Sequence, residues 1–394
     1  MKILIPADLY WPAINGVATF GRNLASGLAE RGHEVMVIAP SQTGKKYQEI
    51  DQGCTIIRTR AVPFPFYQKF RISLYPDRDV KKTIINFQPD VIHIQSVLAI
   101  SQAGMKYGNK FKIPTVITNH AMPENLMDNL RLLAPVSRPI NFLLKEYGVH
   151  YFAKADYVTM PTQSAIDMFN ASEKLSKPIS PVSNGIDLKR FKPGLFDKKI
   201  ADKFNLPSNI AIVSYIGRVD SEKHLYVLIN AFYKALAKTP LHLLIVGGGT
   251  DIDNIKRQCS DLGIEKNVTL TGRVSDEEIV QLHRAATVFV MPSPAELQSI
   301  ATLESMASGK PIIAVDAGAL SELCQDGING FLCEKDNEEQ ITKAILDIVS
   351  DPSKQKEFSK ASLKIARSHD LDYTLSRFEQ IYQDLINSRI ESAT

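Results

Sequence analysis

The chain has 394 residues, of which 44% are hydrophobic and 23% charged, and its formal net charge is +3 at pH 7. This composition is typical of a globular protein, and the length favours two domains of somewhat under ~200 residues each. The small net charge argues against a dedicated nucleic-acid-binding protein. No apolar run approaches the ~20 residues that span a bilayer, and the apolar start is too short for a secretory signal. We therefore expect an intracellular protein.

Short apolar or β-branched runs alternate with amphipathic stretches from end to end. Predicted strands of the first half are residues 2–6, 34–39, 55–59, 91–94, 115–118 and 157–160. Those of the second half are residues 211–216, 241–246, 268–271, 288–291, 312–314 and 330–332. Strands that alternate with helices indicate parallel sheets covered by helices on both faces. The sequence therefore predicts two doubly wound, Rossmann-like α/β domains that face a cleft.

A turn-rich stretch, residues 183–193, marks the predicted domain boundary because it precedes a run of mixed charge. A final amphipathic helix over residues 373–387 has apolar positions that need a surface, and we assign it to the first domain. The predicted domains are residues 1–190 together with 373–394, and residues 191–372. Ligands of open α/β sheets bind at the carboxyl ends of strands, so functional motifs should lie in strand-to-helix loops.

Two glutamates, Glu296 and Glu304, lie across a loop that enters a predicted helix. A helix start presents unpaired N–H groups and a positive dipole end to phosphate, while carboxylates accept hydrogen bonds from hydroxyls. This segment is suited to hold a nucleotide sugar. The alternative is a capped surface helix with solvated acids.

Two cations, Arg218 and Lys223, follow the predicted strand over residues 211–216. Arginine offers a planar fork to two phosphate oxygens and lysine adds a compact charge. Together they suit a diphosphate, whose developing charge they would stabilise as a nucleoside diphosphate departs. The alternative is a surface ion-pair cluster with Asp220 and Glu222.

Glycine-containing turns follow several other predicted strands. Gly16 precedes the helical pattern over residues 20–31 and is placed to donate its N–H to phosphate, although no GxGxxG fingerprint is present. Gly247 and Gly248 end one strand and allow the backbone to turn under a bulky ligand. Arg273 and Val274 follow the next strand, where exposed backbone is suited to read a base edge. Plain turns or strand ends are the alternatives in each case.

His120 lies at the end of the predicted strand over residues 115–118, facing the same cleft. It is a candidate to contact a transferred sugar or an acceptor hydroxyl, and a structural hydrogen bond is the alternative.

Paired acids at Asp77 and Asp79, and at Asp251 and Asp253, resemble divalent-ion ligands. The first pair lies in a proline-flanked basic segment and the second begins a helix, where acids favour the dipole. We therefore predict no metal and no cofactor.

Taken together, these motifs resemble the retaining glycosyltransferases of the GT-B fold, specifically family four, over nearly the whole chain. The resemblance implies that Arg218 and Lys223 bind the donor diphosphate and that Glu304 binds the ribose. It implies that Glu296 holds the sugar together with nearby backbone N–H groups, and that Ser299 and Ile300 belong to the donor-binding residues. By the same resemblance Arg273 and Val274 lie by the base, Gly16 by the phosphate and His120 by the sugar.

One departure from the family pattern concerns Ser299, which stands where the family usually has glycine. Its N–H remains available, so we expect phosphate binding to survive while the local geometry differs. The neighbouring Gln298 is similar to family members that glycosylate diacylglycerol or other lipids.

A lipid acceptor is also indicated by two stretches that mix aromatic and cationic residues. Aromatics enter the headgroup boundary while lysine and arginine meet anionic lipid, at about 1 kcal/mol for each cation. A core helix with an ordinary loop is the alternative. The candidate membrane and acceptor residues are Phe64, Phe66, Lys69, Phe70, Arg71, Arg131 and Arg138.

The sequence thus predicts metal-independent, retaining transfer of a hexose from a nucleoside diphosphate sugar, with UDP-glucose as first choice, to a lipid such as diacylglycerol. The expected place is the inner face of the cell membrane, bound peripherally to an anionic surface. A glycosyltransferase with a soluble acceptor, a nucleotide-sugar epimerase of the same fold and a non-catalytic nucleotide-sugar sensor are the alternatives. The oligomeric state stays open.

Overall fold

A computed structural model of the protein describes residues 1–13, 15–64, 71–120 and 137–391, without the side chains of residues 137–139 and 141. The chain forms two compact units. The N-terminal unit is Met1–Asn184 together with Asp372–Thr394, and the C-terminal unit is Gly185–Leu371. The sequence analysis placed the corresponding boundaries at 190 and 373.

The N-terminal unit is built on parallel strands. They are β1 (Lys2–Pro6), β2 (Glu34–Pro40), β3 (Tyr47–Asp51), β4 (Cys54–Thr59), β5 (Ala61–Pro63), β6 (Arg71–Ser73), β7 (Val91–Ile94), β8 (Thr115–Thr118), β9 (Tyr157–Met160) and β10 (Ile179–Pro181). Eight form one sheet in the order β10-β9-β8-β7-β1-β2-β4-β3, in which only β3 runs antiparallel to its neighbour. Strands β5 and β6 form a separate antiparallel pair.

Helices cover this sheet and connect its strands. They are α1 (Gly16–Glu30), α2 (Asp77–Phe87), α3 (Ala99–Phe111), α4 (Ser137–Phe152), α5 (Gln163–Met168) and α6 (Ala171–Lys174). Helix α1 begins where the Asn15 side chain accepts a hydrogen bond from the Ala18 N–H at 2.9 Å, and it buries Phe20, Leu24 and Leu28. Since β1 lies between β7 and β2, the chain reverses its winding at β1, and the start of α1 lies at that switch point.

The C-terminal unit repeats the parallel arrangement. Its strands are β11 (Ala211–Ile216), β12 (Leu241–Val246), β13 (Val268–Leu270), β14 (Val288–Met291), β15 (Ile312–Val315) and β16 (Gly330–Cys333). They form a six-stranded sheet in the order β13-β12-β11-β14-β15-β16. The switch point lies between β11 and β14, so a ligand is expected at the carboxyl ends of these two strands.

The helices of this unit lie between its strands and after β16. They are α7 (Lys198–Lys203), α8 (Leu225–Leu236), α9 (Ile252–Asp261), α10 (Asp276–Ala285), α11 (Ile300–Ala307), α12 (Leu320–Leu323), α13 (Glu338–Val349) and α14 (Pro352–Arg367). Strand residues such as Leu243, Phe289 and Ile313 are fully buried in one core cluster. Two doubly wound α/β sheets confirm the predicted fold class.

The last helix, α15 (Leu371–Glu391), belongs almost entirely to the N-terminal unit. It buries Leu375, Phe378, Ile381 and Tyr382, while the predicted apolar position Leu385 is only partly buried. A Cβ at Gly27 would lie 2.5 Å from Leu375 Cδ1, so α1 accepts this helix only because position 27 lacks a side chain. The sequence predicted the helix over residues 373–387, two residues short at its start and four at its end.

A buried hydrogen-bond chain also holds α15 in the N-terminal unit. Tyr382 Oη lies 2.5 Å from His93 Nδ1, and His93 Nε2 lies 2.7 Å from Thr118 Oγ1. All three residues are buried. Burial lowers the pKa of His93 to about 3, so its imidazole is neutral and each ring nitrogen has one partner in the chain.

Candidate active site

Arg218 and Lys223 follow β11, at the switch point of the C-terminal sheet. A short 3₁₀ turn, Ser221–Lys223, separates the strand from α8. Lys223 is only 8% exposed, and its Nζ donates to Glu296 Oε1 at 2.7 Å. Because Glu296 lies in the loop after β14, this ion pair joins the carboxyl ends of the two strands that flank the switch point.

The backbone of Glu296 is fixed from the opposite side by the turn after β15. The Ala319 N–H donates to the Glu296 carbonyl oxygen at 2.9 Å. Gly318 has a φ of +60°, and a Cβ there would lie 2.6 Å from the same oxygen. A glycine is therefore required at position 318 to bring this turn against the loop that carries Glu296.

Arg218 is oriented by carboxylates of its own loop. Its guanidinium pairs with Asp220 and Glu222, which are 6% and 1% exposed. The other oxygen of Asp220 accepts from Thr250 N at 2.7 Å and Thr250 Oγ1 at 2.9 Å. The ion-pair alternative of the sequence analysis is thus present, but as a buried pairing that orients the guanidinium fork rather than as a surface cluster.

Helix α11 begins at Ile300, four residues after Glu296. Ser299 is the capping residue, and its Oγ accepts from Thr302 N at 3.2 Å and from Thr302 Oγ1 at 2.8 Å. The first N–H groups of a helix have no partner within it, so this end of α11 presents donors and a positive dipole end. Ser299 therefore gives the helix a side-chain cap.

Glu304 lies on α11 beside a histidine that the sequence analysis did not single out. Glu304 Oε2 is 3.1 Å from Nε2 of the fully buried His283, and His283 Nδ1 is 2.9 Å from Ser305 Oγ. Both ring nitrogens are thus engaged, which fixes the orientation of the carboxylate. His283 lies on α10, and no spacing in the sequence connects it with Glu304, so only the fold brings the two together.

The glycine turn after β12 packs against the turn after β11. The Val219 N–H donates to Gly248 O at 3.1 Å, and a Cβ at Gly247 would lie 1.9 Å from Gly217 O. The close approach at Gly247 is therefore to backbone, which accounts for this glycine without a ligand. A Cβ at Gly248 would lie 3.7 Å from Arg273 Cγ, so the predicted base-side residue Arg273 adjoins this turn.

In the N-terminal unit, His120 packs against α1. Its ring centroid lies 4.3 Å from that of Phe20, and its Nε2 is buried without a hydrogen-bond partner among the described residues. Burial lowers the pKa of His120 to about 3, against a smaller opposite effect of Asn184. Gly16 is the first residue of the same helix. His120 and the start of α1 therefore belong to one region of this unit.

The candidate membrane residues are only partly covered by the structure. Phe66, Lys69, Phe70 and Arg131 lie outside the described residues, as does the side chain of Arg138. Phe64 and Arg71 are partly buried. Arg71 Nη2 donates to the Ala61 carbonyl oxygen at 3.2 Å, so part of this guanidinium is engaged within the β5–β6 pair.

Within the ranges that the structure describes, no helix has the length and apolar character needed to cross a membrane. In the same ranges, no three His, Cys, Asp or Glu side chains come together as a potential metal site. The four cysteines are buried and free.

Comparison with known proteins identifies the family of the chain. Residues 14–190 match the model described as Glycosyltransferase Family 4, and residues 196–365 match that described as Glycosyl transferases group 1. The alpha-monoglucosyldiacylglycerol synthase of Acholeplasma laidlawii is 25% identical over 394 residues, covering 98% of each chain. The enzyme of that name from Streptococcus pneumoniae is 27% identical over 343 residues, which is 84% of this chain and 75% of the relative.

Among solved structures, sucrose-phosphate synthase from Thermosynechococcus elongatus superposes with a TM-score of 0.78 at 22% identity, covering 98% of this chain and 99% of that one. At this identity the likeness concerns the fold. With both family models matched in sequence order, the chain belongs to the family-four glycosyltransferases of the GT-B fold.

Proposed function

We propose that this glycosyltransferase moves a hexose, glucose from UDP-glucose as first choice, to a hydroxyl of diacylglycerol with retention at the anomeric carbon. The observation that carries the proposal is the buried Lys223–Glu296 pair at the switch point, beside Arg218 and in front of the α11 N-terminus. This arrangement supplies positive charge where a diphosphate leaving group needs it.

The chemistry follows from the charges. As the bond between the anomeric carbon and the donor oxygen breaks, its electron pair moves to the departing diphosphate. Arg218, Lys223 and the first N–H groups of α11 stabilise that charge, so the step needs no metal. The acceptor hydroxyl attacks from the same face, forms the new glycosidic bond and gives its proton to the leaving phosphate.

Glu296 orients the sugar in this scheme and does not attack it. Its Oε1 is already held by Lys223 at 2.7 Å, and a carboxylate whose charge is paired is a weaker nucleophile. The neutral imidazole of His120 is suited to hydrogen-bond a sugar or acceptor hydroxyl.

The remaining assignments follow the family resemblance. Ser299 and Ile300 donate their N–H groups to phosphate, and Glu304, held by His283, accepts from the ribose. Arg273 and Val274 lie by the base next to the Gly247–Gly248 turn, and Gly16 lies by the phosphate.

A lipid acceptor is supported by two observations. Both relatives described above carry the name of a synthase of monoglucosyldiacylglycerol. On α4, Phe142 and Leu143 are 62% and 64% exposed, and Tyr147 is 47% exposed. Large apolar side chains on a helix surface suit the headgroup boundary of an anionic membrane, so we place the enzyme peripherally on the inner face of the cell membrane.

The decisive test supplies UDP-, GDP- and ADP-sugars with diacylglycerol in anionic vesicles and follows products by mass spectrometry. We expect a hexosyl-diacylglycerol from UDP-glucose, with the α-anomer identified by NMR. Product formed only with inositol or a free sugar would show that the acceptor is soluble and not a lipid. Conversion of the donor without any acceptor would indicate an epimerase. Donor binding with neither transfer nor slow hydrolysis would indicate a sensor.

Membrane association is tested separately by flotation with vesicles. We expect the protein to float with anionic vesicles and to lose this association at high salt, because lysine and arginine contacts with anionic lipid are screened. A protein that stays unbound at low salt would contradict the peripheral placement, while leaving the transfer reaction untouched.

A further inference from the structure

Two non-glycine residues of the C-terminal unit have left-handed backbone and contact each other. His224 has a φ of 50° and Asp336 a φ of 60°. Such a conformation costs an L-residue roughly 1–2 kcal/mol and persists where surrounding structure imposes it. His224 follows Lys223 directly, and Asp336 lies in the turn between β16 and α13.

The side chains of these residues form a small hydrogen-bonded group. His224 Nδ1 lies 2.6 Å from Asp336 Oδ1, and Tyr226 Oη donates to the same oxygen at 3.1 Å. Partial burial acts to raise the pKa of Asp336, but His224 and Tyr226 lower it overall, so the carboxylate is ionised at neutral pH. We call His224, Tyr226 and Asp336 the His224 clamp.

The clamp acts on the turn that carries Lys223. The Lys223 N–H donates to Asp220 O at 3.0 Å, and His224 N donates to Ser221 O at 3.2 Å. His224 O then accepts from Val227 N at 3.0 Å, at the start of α8. His224 is therefore the single residue between the 3₁₀ turn and α8. Its backbone dihedral angles set the orientation of the turn that carries Lys223 relative to the helix.

We infer that the His224 clamp is a positioning device that keeps Lys223 Nζ against Glu296 and the donor diphosphate. The inference rests on the proposed function, because it takes Lys223 as the diphosphate-binding cation. Its physical basis is that a cation stabilises a leaving group only at the right distance, and a displacement of about 1 Å costs up to ~100-fold in rate.

Glycine variants separate the clamp from backbone strain. Asp336→Gly and His224→Gly keep the left-handed backbone allowed and remove the side-chain contact, while they also increase backbone freedom. Asn205→Gly is the matched control, because Asn205 in the same unit has a φ of 51° outside the clamp. Melting temperature, kcat and donor KM are measured for each, together with UDP affinity by calorimetry.

We expect Asp336→Gly and His224→Gly each to lower kcat about tenfold, with a smaller change in donor KM, because the cation acts most on the departing charge. The double variant should lose no more than either single variant. Asparagine tolerates left-handed backbone and has an amide N–H that can donate to Asp336. His224→Asn should therefore retain most of the kcat that His224→Gly loses. Asn205→Gly should stay within about twofold of the parent.

Combining the clamp variants with Lys223→Ala separates the role of the His224 clamp from the role of Lys223 as the diphosphate-binding cation. In that background Asp336→Gly should change kcat and UDP affinity by less than twofold, since the positioned cation is gone. Parent-like kcat in Asp336→Gly, or losses that multiply with Lys223→Ala, would overturn the clamp. If Lys223→Ala itself turns over like the parent, the assignment of Lys223 falls instead.

Discussion

In the C-terminal unit Arg218 and Lys223 both contact carboxylates, whereas in the N-terminal unit His120 lies against the Phe20 ring with a depressed pKa. The first arrangement keeps charge fixed at strand ends, and the second keeps an imidazole uncharged. Their difference indicates a division of chemistry. Fixed charge suits a diphosphate, while a neutral donor or acceptor suits sugar and acceptor hydroxyls, which carry no charge.

The largest expected effect comes from Lys223→Ala, which removes the buried cation. Removing one preorganised charge-stabilising group typically costs about 3 kcal/mol of transition-state stabilisation, so kcat/KM should fall by about 100-fold. Steady-state transfer with UDP-glucose measures it. Lys234→Ala is the control, because Lys234 forms its ion pairs with Glu338 and Glu339 at a more exposed position. Equal losses in the two variants would erase the distinction between site charge and surface charge.

Acid unfolding tests the neutral histidine. The pKa of His120 falls from 6.5 to about 3 on burial, so between these values the unfolded chain binds a proton that the folded chain does not. The free energy of unfolding should therefore decrease as pH falls below 6.5, by at most about 1.4 kcal/mol per pH unit from this group.

His120→Gln should reduce the loss of stability between pH 7 and pH 5 by about 2 kcal/mol, measured by urea unfolding at both pH values. The exposed His150→Gln is the control for the substitution itself, and an equal reduction in both variants would contradict a specific role of His120. An unaltered slope in His120→Gln would show that this imidazole is charged or solvated in the folded protein, and the contrast between the units would fail.

Tyr382→Phe sharpens the comparison within the N-terminal unit. The variant leaves buried His93 Nδ1 without the hydroxyl that lies 2.5 Å away. An unpaired buried polar group costs about 1–3 kcal/mol, and urea unfolding should register this loss. Tyr373→Phe, on the exposed face of the same helix, should be neutral. Unchanged stability in Tyr382→Phe would mean that this hydrogen-bond chain does not help to hold α15.

The smallest expected effect concerns the cap of α11. Ser299→Ala should cost about 1 kcal/mol of stability, and Ser299→Gly only a few tenths, since glycine is itself tolerated at this position. Transfer should survive Ser299→Gly, because phosphate binding uses the backbone N–H. Loss of turnover in the glycine variant would show that the hydroxyl contributes to donor binding and not only to the helix cap.

Sequence patterns predicted every strand of the C-terminal sheet, but in the N-terminal unit they missed the two edge strands β3 and β10 and the separate β5–β6 pair. Central strands such as β14 and β15 are continuous apolar runs buried on both faces, which is a strong signal. Strand β3 alternates between partly buried and exposed residues and contains Glu49 and Asp51, and β5, β6 and β10 have only three residues each. These strands form by pairing with a neighbouring strand, which a short or polar segment does not signal.

The candidate site shows the same division. Lys223 and Glu296 were identified because each follows a predicted strand, but their direct pairing depends on β11 and β14 being neighbours, which the sequence does not show. The partners of Glu304 and His224 were missed for this reason. His283 and Asp336 come from other strand-to-helix units, and no local spacing connects them with the residues that they hold.

The fit of Leu375 against Gly27 has a consequence for biosynthesis. The C-terminal unit is one continuous segment, whereas the N-terminal unit lacks α15 until residues 372–391, which follow that segment, have left the ribosome. We therefore expect the C-terminal unit to complete its fold before the N-terminal unit. Until α15 packs, the nascent N-terminal sheet exposes an apolar groove that chaperones can recognise.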